Sequence, residues 1–230
     1  MPDRKNSITP LIRNSADALL KKFGEGNATP GSGSAAAFMG LLSCSMILAV
    51  VRKSKTKSVK ISESRLDFIE ERTIKADLRL KDLFQKDSDE FEEVVRLRRE
   101  REEAKNEQQA RLLQRRAIDR LEETNKIIFE IAETCLELVD YATELFEVGW
   151  PHVRGDSGAG ISSAISGAMS CIFVANLNLK KFERRLSAAG YAEKIEGLTN
   201  KISASHDKAL SCISQLSSEA DVSPTFFDNR

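Results

Sequence analysis

The sequence has little of what would mark a metal site or a surface dedicated to nucleic acid. Its only imidazoles are His152 and His206, and its four cysteines are far apart in the chain, with no CxxC pair. A structural zinc site is therefore not expected. Lysine plus arginine and aspartate plus glutamate both total 35, so the net charge is zero. A protein that binds nucleic acid through a broad basic surface is not expected either.

Aromatic residues and prolines are also scarce. Aromatics make up 6% of the 230 residues and there are only 5 prolines, while alanine, leucine, glutamate, lysine and arginine dominate. This composition favours long helices over a sheet with many turns, so we predict an all-α protein. We expect one helical domain over residues 1–217 and a flexible C-terminal tail over residues 218–230.

The chain also lacks an apolar export signal at its start, where residues 1–5 read MPDRK. Each cysteine lies in an apolar or small-residue stretch, where a buried, reduced thiol is the common outcome. These features predict a cytoplasmic protein without disulfide bonds. The cysteines are Cys44, Cys135, Cys171 and Cys212.

Apolar spacing and capping residues predict the helices that surround the core. A short amphipathic helix is expected to start at Thr9-Pro10 and to stop at Gly24. A charged surface helix is expected from Ser62 to about Glu103, and a break could occur near residues 87–89. Residues 96–111 read as either a solvated hairpin or a protruding helical extension.

The second half of the chain gives a similar pattern. A long helix with an apolar seam three and four residues apart is expected to end at Gly149-Trp150-Pro151. After Gly190, a final amphipathic helix is expected.

Two further helices have almost no charge. One is expected to run from Ala35 to Val51, capped by Ser34, and the other from Ser157 to Leu179. Each approaches the roughly 20 residues needed to cross a bilayer, but Asn176 and Asn178 make the second a poor lipid-facing segment. We therefore expect both helices to be buried in a helical bundle that is completed by homodimerisation, with no membrane contact.

A glycine-bearing loop precedes each uncharged helix. Residues 27–34 read NATPGSGS and residues 154–158 read RGDSG. Loops of this kind place backbone N–H groups at a helix N-terminus, where they favour an anion or a carbonyl oxygen. Plain helix capping and tight packing explain the same residues, so the composition alone leaves both interpretations open.

Four motifs in order resemble the formiminotetrahydrofolate cyclodeaminase and methenyltetrahydrofolate cyclohydrolase family. Residues 30–37, PGSGSAAA, resemble its PGGGSAAA signature, and residues 87–91, DSDEF, resemble its D-x-x-A-F segment. Residues 155–158, GDSG, are similar to its S-D-x-G, and residues 177–179, LNL, to its I-N-L. The resemblance spans roughly residues 15 to 185 and rests mainly on the first and third motifs.

The resemblance implies an all-helical, dimeric domain without a metal or a permanently bound cofactor, which binds a tetrahydrofolate derivative in a cleft near the subunit interface. Family members carry out one of two reactions. In cyclodeamination, N10 of 5-formiminotetrahydrofolate attacks the formimino carbon and ammonia leaves. In cyclohydrolysis, water opens 5,10-methenyltetrahydrofolate to 10-formyltetrahydrofolate. Both pass through a tetrahedral carbon that needs proton transfers and fixed geometry.

The resemblance also assigns roles to residues. Asp156 is the first choice as general acid or base, or as the residue that orients it, and Asp87 is a second carboxylate with a family match. The substrate-binding candidates are Pro30, Gly31, Ser32, Gly33, Ser34 and Asn178. The basic residues between 52 and 60 either attract the glutamate tail of folate or form a solvated loop.

Several positions depart from the family pattern. Ser32, Trp150 and Val174 stand where the family has other residues. The alternative to an enzyme is therefore a non-catalytic helical scaffold that keeps the fold and contacts a partner, with the charged segment 96–111 as its contact surface.

Overall fold

A computed structural model of the protein describes residues 10–182 and 187–220. These residues form six α-helices and two short 3₁₀ turns, without a strand, so the predicted all-α fold is confirmed for the described chain. The turns are Leu11–Arg13 and Pro151–Val153. The helices are α1 (Ala16–Gly24), α2 (Ser32–Ser54), α3 (Glu63–Glu102), α4 (Glu107–Val148), α5 (Arg154–Phe182) and α6 (Ala188–Glu219).

Helices α3 and α4 form a long antiparallel hairpin. The Asn106 side chain caps α4 by accepting from the Gln109 N–H at 2.9 Å, which satisfies one of the unpaired donors at the helix start. Arginines seven residues apart on α3 meet glutamates seven apart on α4. The ion pairs are Arg65 with Glu144, Arg72 with Glu137 and Arg79 with Glu130.

The hairpin settles two expectations from the sequence. Helix α3 is continuous through residues 87–89, so the break considered there is absent. Its regular turns are kept because Asp87 and Ser88 are buried against other helices, whereas polar residues break a helix when they turn back to bond the backbone. Residues 96–111 form the tip of the hairpin, with a turn between Glu102 and Glu107.

The two uncharged helices, α2 and α5, lie side by side and antiparallel in the core. A Cβ atom on Gly167 would lie 2.9 Å from the Ala36 carbonyl oxygen, so glycine allows close approach here. At the far end, the Trp150 N–H donates to Ser54 Oγ at 3.0 Å. The N-terminal end of α2, its leading end, is therefore beside the C-terminal end of α5, its trailing end.

One face of this helix pair is uncovered within the chain, where the sequence predicts burial that is completed by a second copy. Leu42 of α2 is 50% exposed, and Phe173 and Leu177 of α5 are 68% and 65% exposed. These three residues, with the partly buried Met39 and Met46, define the apolar α2–α5 face. The opposite sides of both helices belong to the main core.

Helices α2 and α5 are also the two segments long and apolar enough to cross a membrane, over Ser32–Ser54 and Pro151–Lys181. About half of each apolar stretch is buried inside the protein. Core helices of globular proteins have this same apolar character all round.

Several helix boundaries differ from the sequence predictions. Helix α1 starts at Ala16 with Ser15 as its cap, after a separate 3₁₀ turn at Leu11–Arg13. Helix α5 begins at Arg154 rather than Ser157, because the 3₁₀ turn Pro151–Val153 leads directly into it.

The last helix also differs at both ends. Gly190 lies inside α6 instead of preceding it, and α6 continues to Glu219. The predicted boundary at residue 217 thus falls within the last turn of α6. Residues 221–230, the rest of the predicted tail, lie outside the described part of the chain.

Candidate functional site

The leading end of α2 holds a buried carboxylate that comes from α3. The Ser34 hydroxyl donates to Asp87 Oδ2 at 2.8 Å and lies 3.3 Å from the Phe84 carbonyl oxygen. Ser34 is fully buried and Asp87 is 5% exposed. The PGSGS motif and the DSDEF motif, 53 residues apart in the chain, therefore meet in space.

This contact corrects the predicted role of Ser34 as an N-cap. Helix α2 starts at Ser32 after Gly31, which has no side chain to cap it. Ser34 lies in the first turn, and its hydroxyl and backbone N–H both bond Asp87. Asp87 thus supplies, from a neighbouring helix, the acceptor that α2 lacks in its own sequence.

Gly33 makes room for the carboxylate. A Cβ atom at this position would lie 2.1 Å from Asp87 Oδ1 and 2.6 Å from Ile128 Cδ1. Any side chain here would have to displace both the Asp87 carboxylate and the end of the Ile128 side chain. The second glycine of the motif is therefore required by Asp87.

The environment of Asp87 makes its proton easier to keep. Burial raises the pKa of the Asp87 carboxyl above its ordinary value, because it disfavours the charged form. Hydrogen bonds from the Ser34 hydroxyl and N–H act in the opposite direction and are the smaller effect. A carboxyl with a raised pKa can both donate and accept a proton closer to neutral pH.

The other residues of the first motif differ in accessibility. Pro30 and Gly33 are buried, Gly31 is partly buried and Ser32 is exposed. Ser32 adopts helical geometry without a positive φ, as no described non-glycine residue has one. Of these candidates, Gly31 and Ser32 are the ones that a ligand could touch at the surface.

Asn178 lies in a buried amide pair. Its Nδ2 lies 3.4 Å from Asn125 Oδ1, a long hydrogen bond. Asn178 is 9% exposed and Asn125 is fully buried, and Asn125 Nδ2 has no hydrogen-bond partner. Asn125 is one turn from Ile128, which contacts Gly33, so the pair lies near the leading end of α2.

From the sequence, Asn125 is expected to pack in the apolar seam of α4, and it is not identified as a site residue. Its signal was an amide within the apolar seam of α4. A buried, unpaired donor costs about 1–3 kcal/mol, so such an amide is uncommon unless something binds it.

Asp156 lies at the opposite end of the bundle. It belongs to the first turn of α5 and is partly exposed. Because α2 and α5 are antiparallel, this turn lies beside the trailing end of α2, some 17 residues beyond Ser34, or roughly 25 Å along the axis. Asp87 and Asp156 therefore cannot contact one ligand carbon within one chain.

The basic residues between 52 and 60 are at this same trailing end of α2. Lys55 Nζ pairs with Asp67 at 2.7 Å and also with Glu70. Lys57 Nζ lies 5.1 Å from the centre of the Trp150 ring. Lys55 thus neutralises acidic neighbours, as expected if this segment is a solvated loop and does not bind the glutamate tail of folate.

Metal ligands are not grouped in the described residues. No cluster of three or more histidine, cysteine, aspartate or glutamate side chains that could hold an ion occurs there. The four cysteines are free and buried. What the site at the leading end of α2 offers is a buried carboxyl with a raised pKa, held in place by a hydroxyl and a helix N-terminus.

Comparison with known proteins gives a family and a fold. The family model for formiminotransferase-cyclodeaminase matches residues 15–197. Among solved structures, the fold is similar to that of formiminotetrahydrofolate cyclodeaminase from Thermotoga maritima, with a TM-score of 0.76 and 18% identity. That match covers 90% of this chain and 98% of the other. No curated protein sequence matches this chain.

Proposed function

The chain belongs to the formiminotransferase-cyclodeaminase family, and from this we propose that it is a folate one-carbon enzyme acting on a tetrahydrofolate derivative. The resemblance seen in the four motifs is confirmed by the family match. The observation that carries the proposal is the contact of Ser34 with Asp87. It joins two separate family-like motifs around one buried carboxyl.

Cyclodeamination requires a group that can donate and accept protons in turn. The formimino nitrogen must gain a proton before N10 attacks its carbon. N10 then loses its proton, the amino group gains it, and ammonia leaves with 5,10-methenyltetrahydrofolate as the product. The balance is one substrate plus one proton giving the methenyl cation plus ammonia.

Asp87 fits these steps as general acid and base. Its carboxyl, with a raised pKa, donates the first proton, and the resulting carboxylate takes the N10 proton and passes it to the leaving amine. In the cyclohydrolase direction, the carboxylate accepts the proton of the attacking water. Gly33 and Ser34 hold the carboxyl in position, and Gly31, Ser32 and Asn178 contact the substrate, with Pro30 fixing the loop.

We assign the second carboxylate, Asp156, to the same site across a subunit interface. The apolar α2–α5 face is the surface that a second copy would cover. A twofold axis perpendicular to the helices would make α2 antiparallel to its counterpart. The leading end of α2, with Asp87, would then approach the leading end of α5 of the partner subunit.

The remaining features of the proposal follow from this chemistry. Proton transfer and fixed geometry need no permanently bound cofactor and no metal. The partners are the folate substrate and a second copy of the chain, without nucleic acid or membrane, and the location is cytoplasmic. Burial of half of each apolar helix in the bundle supports a core role for α2 and α5 rather than a membrane one.

Two assays on the purified protein test the proposal. Loss of methenyl absorbance from 5,10-methenyltetrahydrofolate reports cyclohydrolysis, and ammonia release from 5-formiminotetrahydrofolate reports cyclodeamination. Acceleration over buffer in either assay is the expected result. Silence in both, together with no folate binding, would favour the non-catalytic scaffold, with the hairpin tip as its contact surface.

A further inference from the structure

A cavity of about 430 Å³ lies between the loop that precedes α2 and the outer half of α3. Neither Ser34 nor Asp87 lines it; the lining residues nearest to them along the chain are Thr29, five residues before Ser34, and Glu92, five residues after Asp87. The lining residues are Asn27, Ala28, Thr29, Glu92, Val95, Arg96 and Arg99.

The cavity follows one face of α3 away from the buried acid. Ser88, next to Asp87, is 5% exposed, and Glu92, Val95 and Arg99 follow it at spacings of four, three and four residues. These residues share a face of the helix. From Ser88 to Arg99 the face extends roughly 17 Å along the axis.

Charge is distributed unevenly along this face. Arg96 forms ion pairs with Glu93 and Glu100 on its own helix. Arg99 forms no ion pair within the described part of the chain and is exposed. Glu92 repels anions at the inner end of the cavity. An anionic group is therefore favoured at the outer end, where Arg99 has its guanidinium free.

The order of the groups along the cavity matches one end of the proposed substrate. In a tetrahydrofolate derivative, the reacting carbon is followed by the p-aminobenzoyl ring, an amide and the glutamate carboxylates. With the reacting carbon at Asp87, the ring would lie against Val95. The carboxylates would then reach the outer end.

We propose that Arg99 binds a glutamate carboxylate of the substrate and that Val95 packs on its p-aminobenzoyl ring. This inference rests on the proposed function and moves the glutamate-binding role away from residues 52–60. Those residues lie at the trailing end of α2, away from the cavity. A planar guanidinium suits bidentate contact with a carboxylate.

Substrates with and without glutamate test the inference. The probes are the 5,10-methenyl derivatives of tetrahydrofolate and of tetrahydropteroate, which lacks the glutamate. Arg99→Gln should weaken binding of the folate compound roughly tenfold and leave binding of the pteroate compound unchanged. Arg99→Lys, which keeps the charge, should recover part of the loss. The matched control Arg98→Gln, one residue away and outside the cavity lining, should behave as wild type.

The outcomes separate this inference from the proposed function. If Arg99→Gln weakens both compounds equally, or neither, Arg99 does not bind the glutamate, and the assignment is overturned even though the enzyme turns over. If the wild-type protein neither binds nor converts either compound, the proposed function fails and the inference fails with it.

Discussion

At the scale of single residues, the account depends on one carboxylate and the glycine that makes space for it. Asp87 could be identified from the sequence as a carboxylate with a family match, but its contact could not, because Ser34 lies 53 positions away. The sequence also ranked Asp156 above Asp87. Asp87 is buried and Asp156 is partly exposed. This difference results from how the helices pack and is not visible in either motif.

Gly33→Ala should destabilise the protein by about 2 kcal/mol, since overpacking a tight site typically costs 1–3 kcal/mol. The new Cβ atom would lie within 3 Å of both Asp87 and Ile128, so the carboxylate should move and activity should fall. Chemical denaturation measures the free energy of unfolding.

Gly197→Ala is the matched control for this change. Gly197 lies inside α6 with nothing within 4 Å of its Cβ position, so alanine there should stabilise the helix by up to about 1 kcal/mol. Equal effects of the two substitutions would show that the space at Gly33 is not occupied as described.

The raised pKa of Asp87 gives a pH prediction with a definite sign. The folded protein holds this proton to a higher pH than the unfolded chain does, so the stability contribution is complete below the unfolded pKa and is lost as the pH rises through the folded pKa. Asp87→Asn removes this loss. The free energy of unfolding of the variant should therefore improve relative to wild type as the pH rises from about 4 towards neutral.

Denaturant titrations at several pH values measure this difference. Asp89→Asn is the matched control, since Asp89 is exposed and accepts only from Gln85 on the same helix. It should keep the wild-type dependence on pH. A stability difference between Asp87→Asn and wild type that is constant with pH would contradict the raised pKa.

At the scale of helices, the pairing of α3 with α4 was only partly predictable. The arginines on α3 and the glutamates on α4 each recur every seven residues, and this spacing is visible in the sequence. Their register depends on where the turn lies, and residues 96–111 fitted either a hairpin or an extension. The turn between Glu102 and Glu107 fixes the register.

The ion pairs along the hairpin should contribute specificity of register more than stability. Arg65 makes two hydrogen bonds to Glu144, at 2.8 and 2.7 Å, but both side chains are about a third or more exposed. A double-mutant cycle with Arg65→Ala and Glu144→Ala should give a coupling energy below about 1 kcal/mol. A coupling of several kcal/mol would show that this pair holds the helices together.

At the scale of the whole molecule, the sequence correctly predicted two uncharged helices in the core of an all-α bundle. The sequence predicted that a second copy completes their burial, but it did not indicate which side of each helix a single chain leaves open, because composition cannot distinguish burial by the chain itself from burial by a second copy. The sequence also does not say whether Asp87 and Asp156 meet within one subunit. The antiparallel packing of α2 and α5 excludes that arrangement, so a site that both residues share requires the proposed second copy.

The proposed dimer predicts the effect of a charge on the α2–α5 face. Leu42→Lys should convert the dimer to a monomer, because a lysine would be buried in the interface without a partner. Light scattering measures the mass. Leu78→Lys is the matched control, since Leu78 is 62% exposed on α3, and it should leave the dimer intact. A wild-type monomer would contradict the dimer.

The most direct test of the shared site is to mix two inactive variants. Asp87→Asn and Asp156→Asn should each lose turnover as homodimers while remaining folded. After dissociation and random reassociation, half of the dimers carry one intact site out of two, so the mixture should recover about a quarter of wild-type activity. A mixture no more active than the two variants measured separately would contradict a site built from Asp87 of one subunit and Asp156 of the other.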